Sequence, residues 1–297
     1  MENNPTSIPY IHHSGNRYRF SESLQGLSED LVKQPFENHP PTPAWEDQVR
    51  DRDTYYHREI ILDQGRANFD EPFNGLSPAD QVLLYCVYYM PMHLVSSYHI
   101  SVHTRFFKNL VTSVDNKVVF IDFGCGPLTS GIAFWAFTGR RNITYLGIDS
   151  SQAMCDKAKE INQYGPKRYR DPFFSRFELM SYYTQLTGSL DNAITVADKT
   201  LIIFNFCYFL ASRTLDINDL SDIMVQIVER YRNHNMCIVY QNPVSSSLST
   251  NWRILKANLS RFRSIITQSN IQQFRYYRLT DGFPHDVRVY YDILYKD

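Results

Sequence analysis

The chain has 297 residues, 43% of them hydrophobic and 21% charged, with a formal net charge of −1. That balance excludes a disordered chain, and the near-neutral charge supplies no global field to draw nucleic acid or an anionic membrane. Five scattered cysteines, none in a C-x-x-C pair, fit reduced thiols better than a disulfide framework or a zinc site.

The opening stretch MENNPTSIPY lacks the charged and apolar regions of a signal peptide. Residues 1 to about 70 are polar and proline-rich. HPPTPAW (39–45) should be extended, because each proline biases its predecessor away from the α region. EDQVRDRDTYYHREI (46–60) reads as a helix of alternating charge. SPAD (77–80) starts a helix: Ser77 caps, Pro78 fills the first turn, and Asp80 meets the positive end of the helix dipole. Pro91 should kink or split that helix, with a second piece from about Met92 to Val111. The apolar run VLLYCVYYMPMHLV is too short and aromatic for a membrane span, so no membrane and a cytoplasmic location are expected.

From Lys117 the texture changes. KVVFIDF reads as a strand buried on both faces, followed by a helix ending at Gly139. Strand 143–149 precedes a helix over 150–165 with a serine start and a glycine stop. Further strands are expected at 173–181, 200–210 and 235–243, with helices over 215–232 and 247–263. FRYYRLT and VRVYYDILY close the chain as an antiparallel pair around DGFP (281–284). Alternating strands and helices predict an α/β, Rossmann-like doubly wound sheet of seven strands. Residues 113–297 form this domain, and 1–112 form a mainly helical N-terminal extension or lid.

In such a sheet a ligand sits at the carboxyl ends of the strands, near the point where strand order reverses. VVFIDFGCGPLTSG (118–131) lies there. Gly124 and Gly126 let backbone approach a ligand, and Asp149 ends the next strand, where an acid can accept two hydrogen bonds from a ribose diol. The G-x-G-x-x-G dinucleotide fingerprint fails, because Thr129 stands where the third glycine belongs.

The D-x-G-x-G-P string at 122–127 resembles motif I of class I S-adenosylmethionine-dependent methyltransferases, and GIDSSQAM (147–154) resembles their second-strand motif. The resemblance covers roughly Lys117 to Asp297, including the closing antiparallel pair. It implies S-adenosylmethionine as cofactor. Asp122, Gly124 and Gly126 would border the methionine moiety, with Asp122 helping to hold its ammonium group. Asp149 would hold the ribose, and Ser150 would lie by the adenine. Leu128 departs from the commoner glycine, so the loop is tighter or differently bent.

On the acceptor side, Asn205-Phe206-Cys207-Tyr208 ends the fourth strand and loosely resembles the Asn-Pro-Pro-Tyr motif of amino-group methyltransferases, without its prolines. Asn205 and Tyr208 are the candidates there, and Cys207 reads as core. Ser96, His99 and His103 form a polar stripe on one helix face. If the reaction needs a base, His93, His99 or His103 could supply it, with His99 taken as the candidate. His99 and His103 have a metal-compatible spacing but no third ligand, so no metal is expected. Basic residues at 166–170 and at Arg253, Lys256, Arg261 and Arg263 read as solvated helix faces. The expected activity is methyl transfer to a small metabolite or peptide, with RNA second and oligomeric state open. A regulatory or scaffold subunit that binds the cofactor without transferring its methyl group is the alternative.

Overall fold

A computed structural model describes residues 11–112, 117–139, 142–169, 172–194, 200–267, 269–278 and 282–297. Among them one sheet has ten strands: β1 (Ile11–Ser14), β2 (Arg17–Phe20), β3 (Lys117–Phe123), β4 (Ile143–Ile148), β5 (Arg176–Met180), β6 (Thr200–Cys207), β7 (Asn235–Pro243), β8 (Arg263–Ser264), β9 (Ile271–Tyr277) and β10 (Pro284–Lys296). Their order is β1-β2-β9-β10-β7-β6-β3-β4-β5, and the short β8 also pairs with β10. Strands β3 to β7 run parallel, while β10 lies antiparallel between β7 and β9. The chain winds outward from β3 through β4 to β5, then returns to place β6 on the other side of β3. This reversal opens the crevice beside the ends of β3 and β6.

The described helices are α1 (Glu22–Ser28), α2 (Pro78–Tyr88), α3 (Met90–His103), α4 (Arg105–Thr112), α5 (Thr129–Thr138), α6 (Gln152–Tyr169), α7 (Leu186–Ala193), α8 (Ile217–Arg230) and α9 (Thr250–Asn258), besides shorter turns. Side chains alternate across β3. Val118 and Phe120 join the core under α2, α3, α5 and α6, whereas Val119, Ile121 and Phe123 join the core under α7, α8 and α9. Both faces are therefore covered, which explains the unbroken apolar runs of β3, β4 and β6.

Local chemistry explains most boundaries. Ser77 and Asp80 form a reciprocal capping box at the start of α2, and Pro91 separates α2 from α3 at Tyr89. Asp216 caps α8 by accepting from the amides of Asn218 and Asp219. The helix expected to stop at Gly165 continues to Tyr169. A Cβ at Gly165 would lie 3.0 Å from the Phe173 ring, so this glycine serves close packing rather than termination.

The expected seven strands all occur, and three more join them. Two come from the N-terminal segment, where β1 and β2 form a hairpin whose Arg17 bridges Arg275 of β9. Polar texture hid this hairpin, because it buries only Ile11 and Tyr18 deeply. The N-terminal third thus carries a two-stranded hairpin beside its helices and helical turns. The segment read as a helix over 46–60 consists of wide π-helical turns, Glu46–Arg50 and Tyr56–Ile61. Its apolar side chains are continuous with the sheet, and one core runs from Ile11 through Trp45 and Leu84 to Ile293. Asp281 of the expected closing turn lies outside the described residues. Among the described residues, no helix is long and apolar enough to cross a membrane.

Candidate active site

The loop after β3 turns back on β4. The amides of Gly124 and Cys125 donate to Ile148 O at 2.8 and 3.1 Å. Gly124 (φ +65°) and Gly126 (φ +50°) occupy the left-handed region, as the sequence pattern requires. Leu128 also has positive φ (+68°) at the start of α5. A glycine would take that conformation freely. Leu128 adopts it with its side chain completely buried, and the apolar contact offsets the strain.

Asp149 stands at the carboxyl end of β4. Its Oδ2 accepts from Gly126 N at 2.8 Å and its Oδ1 from Ser151 N at 3.0 Å. Burial pushes its pKa up to about 6 against the lowering effect of those two bonds. The residue nevertheless keeps solvent-accessible surface, and neighbouring Ser150 is exposed. Each carboxylate oxygen retains a lone pair for a ligand hydroxyl.

Asp122 lies deeper, 1% exposed. Its Oδ1 accepts from Asn205 Nδ2 at 2.7 Å and its Oδ2 from Tyr145 O–H at 2.8 Å. Burial drives its pKa to about 7 despite both bonds, with Asp149 adding to the rise. Asp122 and Asn205 are therefore brought together, but against each other. The Asn205 amide points a donor into the sheet.

Tyr208 follows β6 with φ +62°, anchored by its amide to Gln241 O at 2.9 Å. Its ring stacks on His93 at 4.0 Å between centroids. Its hydroxyl lies 3.4 Å from Ser96 Oγ. Below it, Ser96 Oγ donates to Gln241 Oε1 at 2.6 Å, while Gln241 Nε2 donates to Ser97 Oγ at 2.6 Å and to Cys207 Sγ. Cys207 thus belongs to a polar network rather than to plain core. Its thiol rises to about 12 through burial and is no nucleophile.

His99 is not brought to this place. Its Nδ1 meets Tyr18 O–H at 2.6 Å and its Nε2 faces Gln272 at 3.4 Å, beneath the hairpin. His103 meets the same phenol at 3.0 Å. Burial, followed by the neighbouring His103, lowers the His99 pKa to about 4. The stripe bends around the helix, so Ser96 faces β7 while His99 faces the hairpin.

The N-terminal segment crosses the strand ends. Phe69 O accepts from Ser151 Oγ at 3.3 Å, Asp70 Oδ1 accepts from Gln152 N at 3.0 Å, and Asp63 pairs with Arg213 at 3.1 Å. Tyr85, Tyr145 and Gln241 escaped the sequence reading. Gln241 carried a signal: it interrupts the apolar run of β7 near its carboxyl end. Tyr145 looked like ordinary core, and nothing in its neighbourhood marks it.

No protein-family model and no curated protein matches the chain. Comparison with solved structures finds matches of low identity with TM-scores below 0.5. A precorrin-6y methyltransferase from Geobacter metallireducens has a TM-score of 0.39 at 11% identity, covering 65% of this chain and 87% of that one. DszA carbon methyltransferase has 0.38 at 17%, covering 97% and 75%. Aeropyrum pernix fibrillarin, solved with S-adenosyl-L-methionine bound, has 0.35 at 8%, covering 67% and 75%.

Proposed function

We propose that the chain binds S-adenosylmethionine at the ends of β3 and β4 and transfers its methyl group to an acceptor held near the end of β6. The observation that carries this reading is the meeting of the Gly124–Gly126 turn with Asp149 beside the strand-order reversal. The residues fit the cofactor. Asp149 has spare lone pairs and accessible surface for a ribose diol. A Cβ at Gly126 would find its nearest neighbour 4.0 Å away, so the backbone there borders open space. Thr129 Oγ1, at the first turn of α5, is buried without a partner among the described residues and offers a hydrogen bond beside the loop.

Bound there, the cofactor supplies a sulfonium-activated methyl group. The chain's own residues bind, align and exclude water. Asp149 would hold the ribose and Ser150 would sit by the adenine. Asp122 would act from behind, fixing Tyr145 and Asn205 rather than reaching the ammonium group with a free oxygen. Tyr208 would form the acceptor wall.

Isothermal calorimetry with S-adenosylhomocysteine tests the reading. Heat of binding is expected, with none from NAD. At 100 times the dissociation constant, the ligand should stabilise the fold by about 2.7 kcal/mol. Neither heat nor a thermal shift with the sulfur nucleoside would overturn the proposal. Asp149→Ala should weaken that binding by about 1.5–3 kcal/mol in a folded protein, since charged acceptors make the stronger hydrogen bonds. Unchanged affinity in this variant would place the ribose elsewhere.

A further inference from the structure

The sheet continues past its helices. Strands β1, β2, β9 and the first half of β10 turn one face to the core under α3, burying Ile11, Tyr18, Phe274, Tyr276 and Val289. Side chains alternate along a strand, so the residues between these lie on the opposite face. The register sets them side by side. Arg17, Arg275 and Asp286 form one row across β2, β9 and β10, and Gln273 pairs with Arg288. Arg17, Arg19, Gln273 and Arg288 are exposed, so α7 to α9, which cover this face of β3 to β7, stop short of it. Val289 lies opposite Pro243, so residues 284–288 extend past the carboxyl end of β7, the end of the sheet that holds Asp149. Phe283, 68% exposed, stands at this tip.

Charge is segregated on this face although the whole chain carries a net charge of only −1. Among its described residues, Arg17, Arg19, Arg275 and Arg288 face a single exposed acid, Asp286. Further along β10, Asp292 is buried and paired with Lys256. Arg275 holds Asp286 through two bonds of 2.8 Å. Arg17 and Arg288 form no ion pair among the described residues. Arg17 stands directly opposite Arg275, a like-charge pair that costs stability until an anion joins it. The Arg19 guanidinium lies over the Tyr277 ring, 4.4 Å from its centroid, and donates to its hydroxyl at 3.0 Å. That bond, with the charges of Arg19, Arg17 and Arg275, holds the Tyr277 phenol below its ordinary pKa.

We infer that this open sheet face binds single-stranded RNA. Arg17 and Arg288 would each hold a phosphate, and bases would stack on the Arg19–Tyr277 pair and on Phe283. A duplex hides the faces of its bases, so an unpaired strand is what offers phosphate and ring together to one surface. An acidic peptide would match the charge but leave the rings unused. A lipid surface calls for protruding apolar groups, and Ile271 is the one large aliphatic side chain described on this face. Gln273, beside Arg288, supplies a donor and an acceptor for a 2′-hydroxyl, which favours RNA over DNA. Binding here does not require the methyl-transfer reading.

The test uses the full chain and a fluorescein-labelled RNA of about 12 nucleotides, alternating cytidine and 4-thiouridine so that it does not pair with itself. Fluorescence anisotropy should show binding that weakens with salt. Combining Arg17→Gln, Arg19→Gln and Arg288→Gln should lower affinity by about 10- to 100-fold at about 0.1 M salt, and should reduce the slope of log affinity against log salt by about 2. Changing the exposed Arg50, Lys159 and Arg232 to glutamine removes the same charge elsewhere and should leave both values as they were. Tyr277→Ala should weaken binding by about five- to 150-fold through lost stacking. Near-ultraviolet light should cross-link the thiouridines to peptides of β2, β9 or β10. No binding, a salt slope unmoved by the triple variant, or cross-links confined to other elements would overturn the inference. Polyphosphate that competes as well per phosphate would leave an anion site without base stacking. Equal affinity for DNA of matching sequence would remove the choice of RNA. Tighter binding of polyglutamate or of phosphatidylserine vesicles would assign the face to an acidic peptide or a membrane instead. S-adenosylhomocysteine binding should be the same in the triple variant, so the methyl-transfer reading stands or falls separately.

Discussion

Relative to Asp122→Asn, the unfolding free energy of the native chain is expected to fall as pH rises from about 4 to 8. Asp122 is held near pKa 7 in the fold against an ordinary 3.8, chiefly because burial disfavours its charge. The folded chain therefore keeps a proton that the unfolded chain has released. Its contribution is fully present below pH 3.8 and is lost as pH rises through 7. A shift of this size corresponds to about 4 kcal/mol. Asp149, raised to about 6, acts in the same direction, while His93 and His99, lowered by burial to about 3 and 4, act in the opposite one, so the difference between the two proteins isolates Asp122. Urea denaturation at several pH values measures both curves. Parallel curves for the two proteins would show that Asp122 ionises normally. Asp122→Ala is a different perturbation, for it leaves the Tyr145 hydroxyl and Asn205 amide as buried donors without an acceptor. That should cost about 2–6 kcal/mol even at low pH, at about 1–3 kcal/mol for each orphaned group.

Gly124→Ala is expected to destabilise the fold by about 2–5 kcal/mol, from left-handed strain of about 1–2 kcal/mol and overpacking of about 1–3 kcal/mol. The new Cβ would lie 2.7 Å from Phe209 Cδ2 and 3.1 Å from Phe209 Cβ. Phe209 closes over the loop from beyond β6, so the two strand ends are locked by one ring. Making the same change in a Phe209→Ala background removes the 2.7 Å ring contact and leaves only the 3.1 Å contact with Cβ, so it should cost less than in the native background, nearer the strain of about 1–2 kcal/mol. A double-mutant cycle resolves the difference. If the cost is the same in both backgrounds, Phe209 is not the group that excludes a side chain at position 124.

Cavity-free glycine contacts also explain why the loop and the next strand are inseparable. Gly147 of β4 would bring a Cβ within 2.6 Å of Leu179 and 2.9 Å of Tyr145, while one at Gly131 would meet Tyr145 at 2.7 Å. Tyr145 thus fills the space that two glycines leave. Its hydroxyl then reaches Asp122. The motif's glycines permit this close packing as well as the loop's turns.

The sequence by itself determined the strands whose burial is set by local texture: the continuous apolar runs of β3, β4, β6 and β7, the Ser77–Asp80 cap, the break at Pro91, and the turn holding Gly124 and Gly126. Asp149 was legible too, because an acid ending a buried strand has few structural reasons to be there. Each of these signals lies within a few residues of chain. Only the tertiary structure decided which polar groups face one another. Asp122 and Asn205 sit at paired positions on neighbouring parallel strands, a register that depends on how the sheet is ordered. His93 and His99 lie on the same helix, yet one stacks on Tyr208 and the other bonds Tyr18, because the helix turns them toward different parts of the sheet. The place of the N-terminal hairpin in the sheet was invisible for the same reason. Its edge is completed by Arg275, far along the chain, and no short window of sequence contains both partners of a long-range bridge.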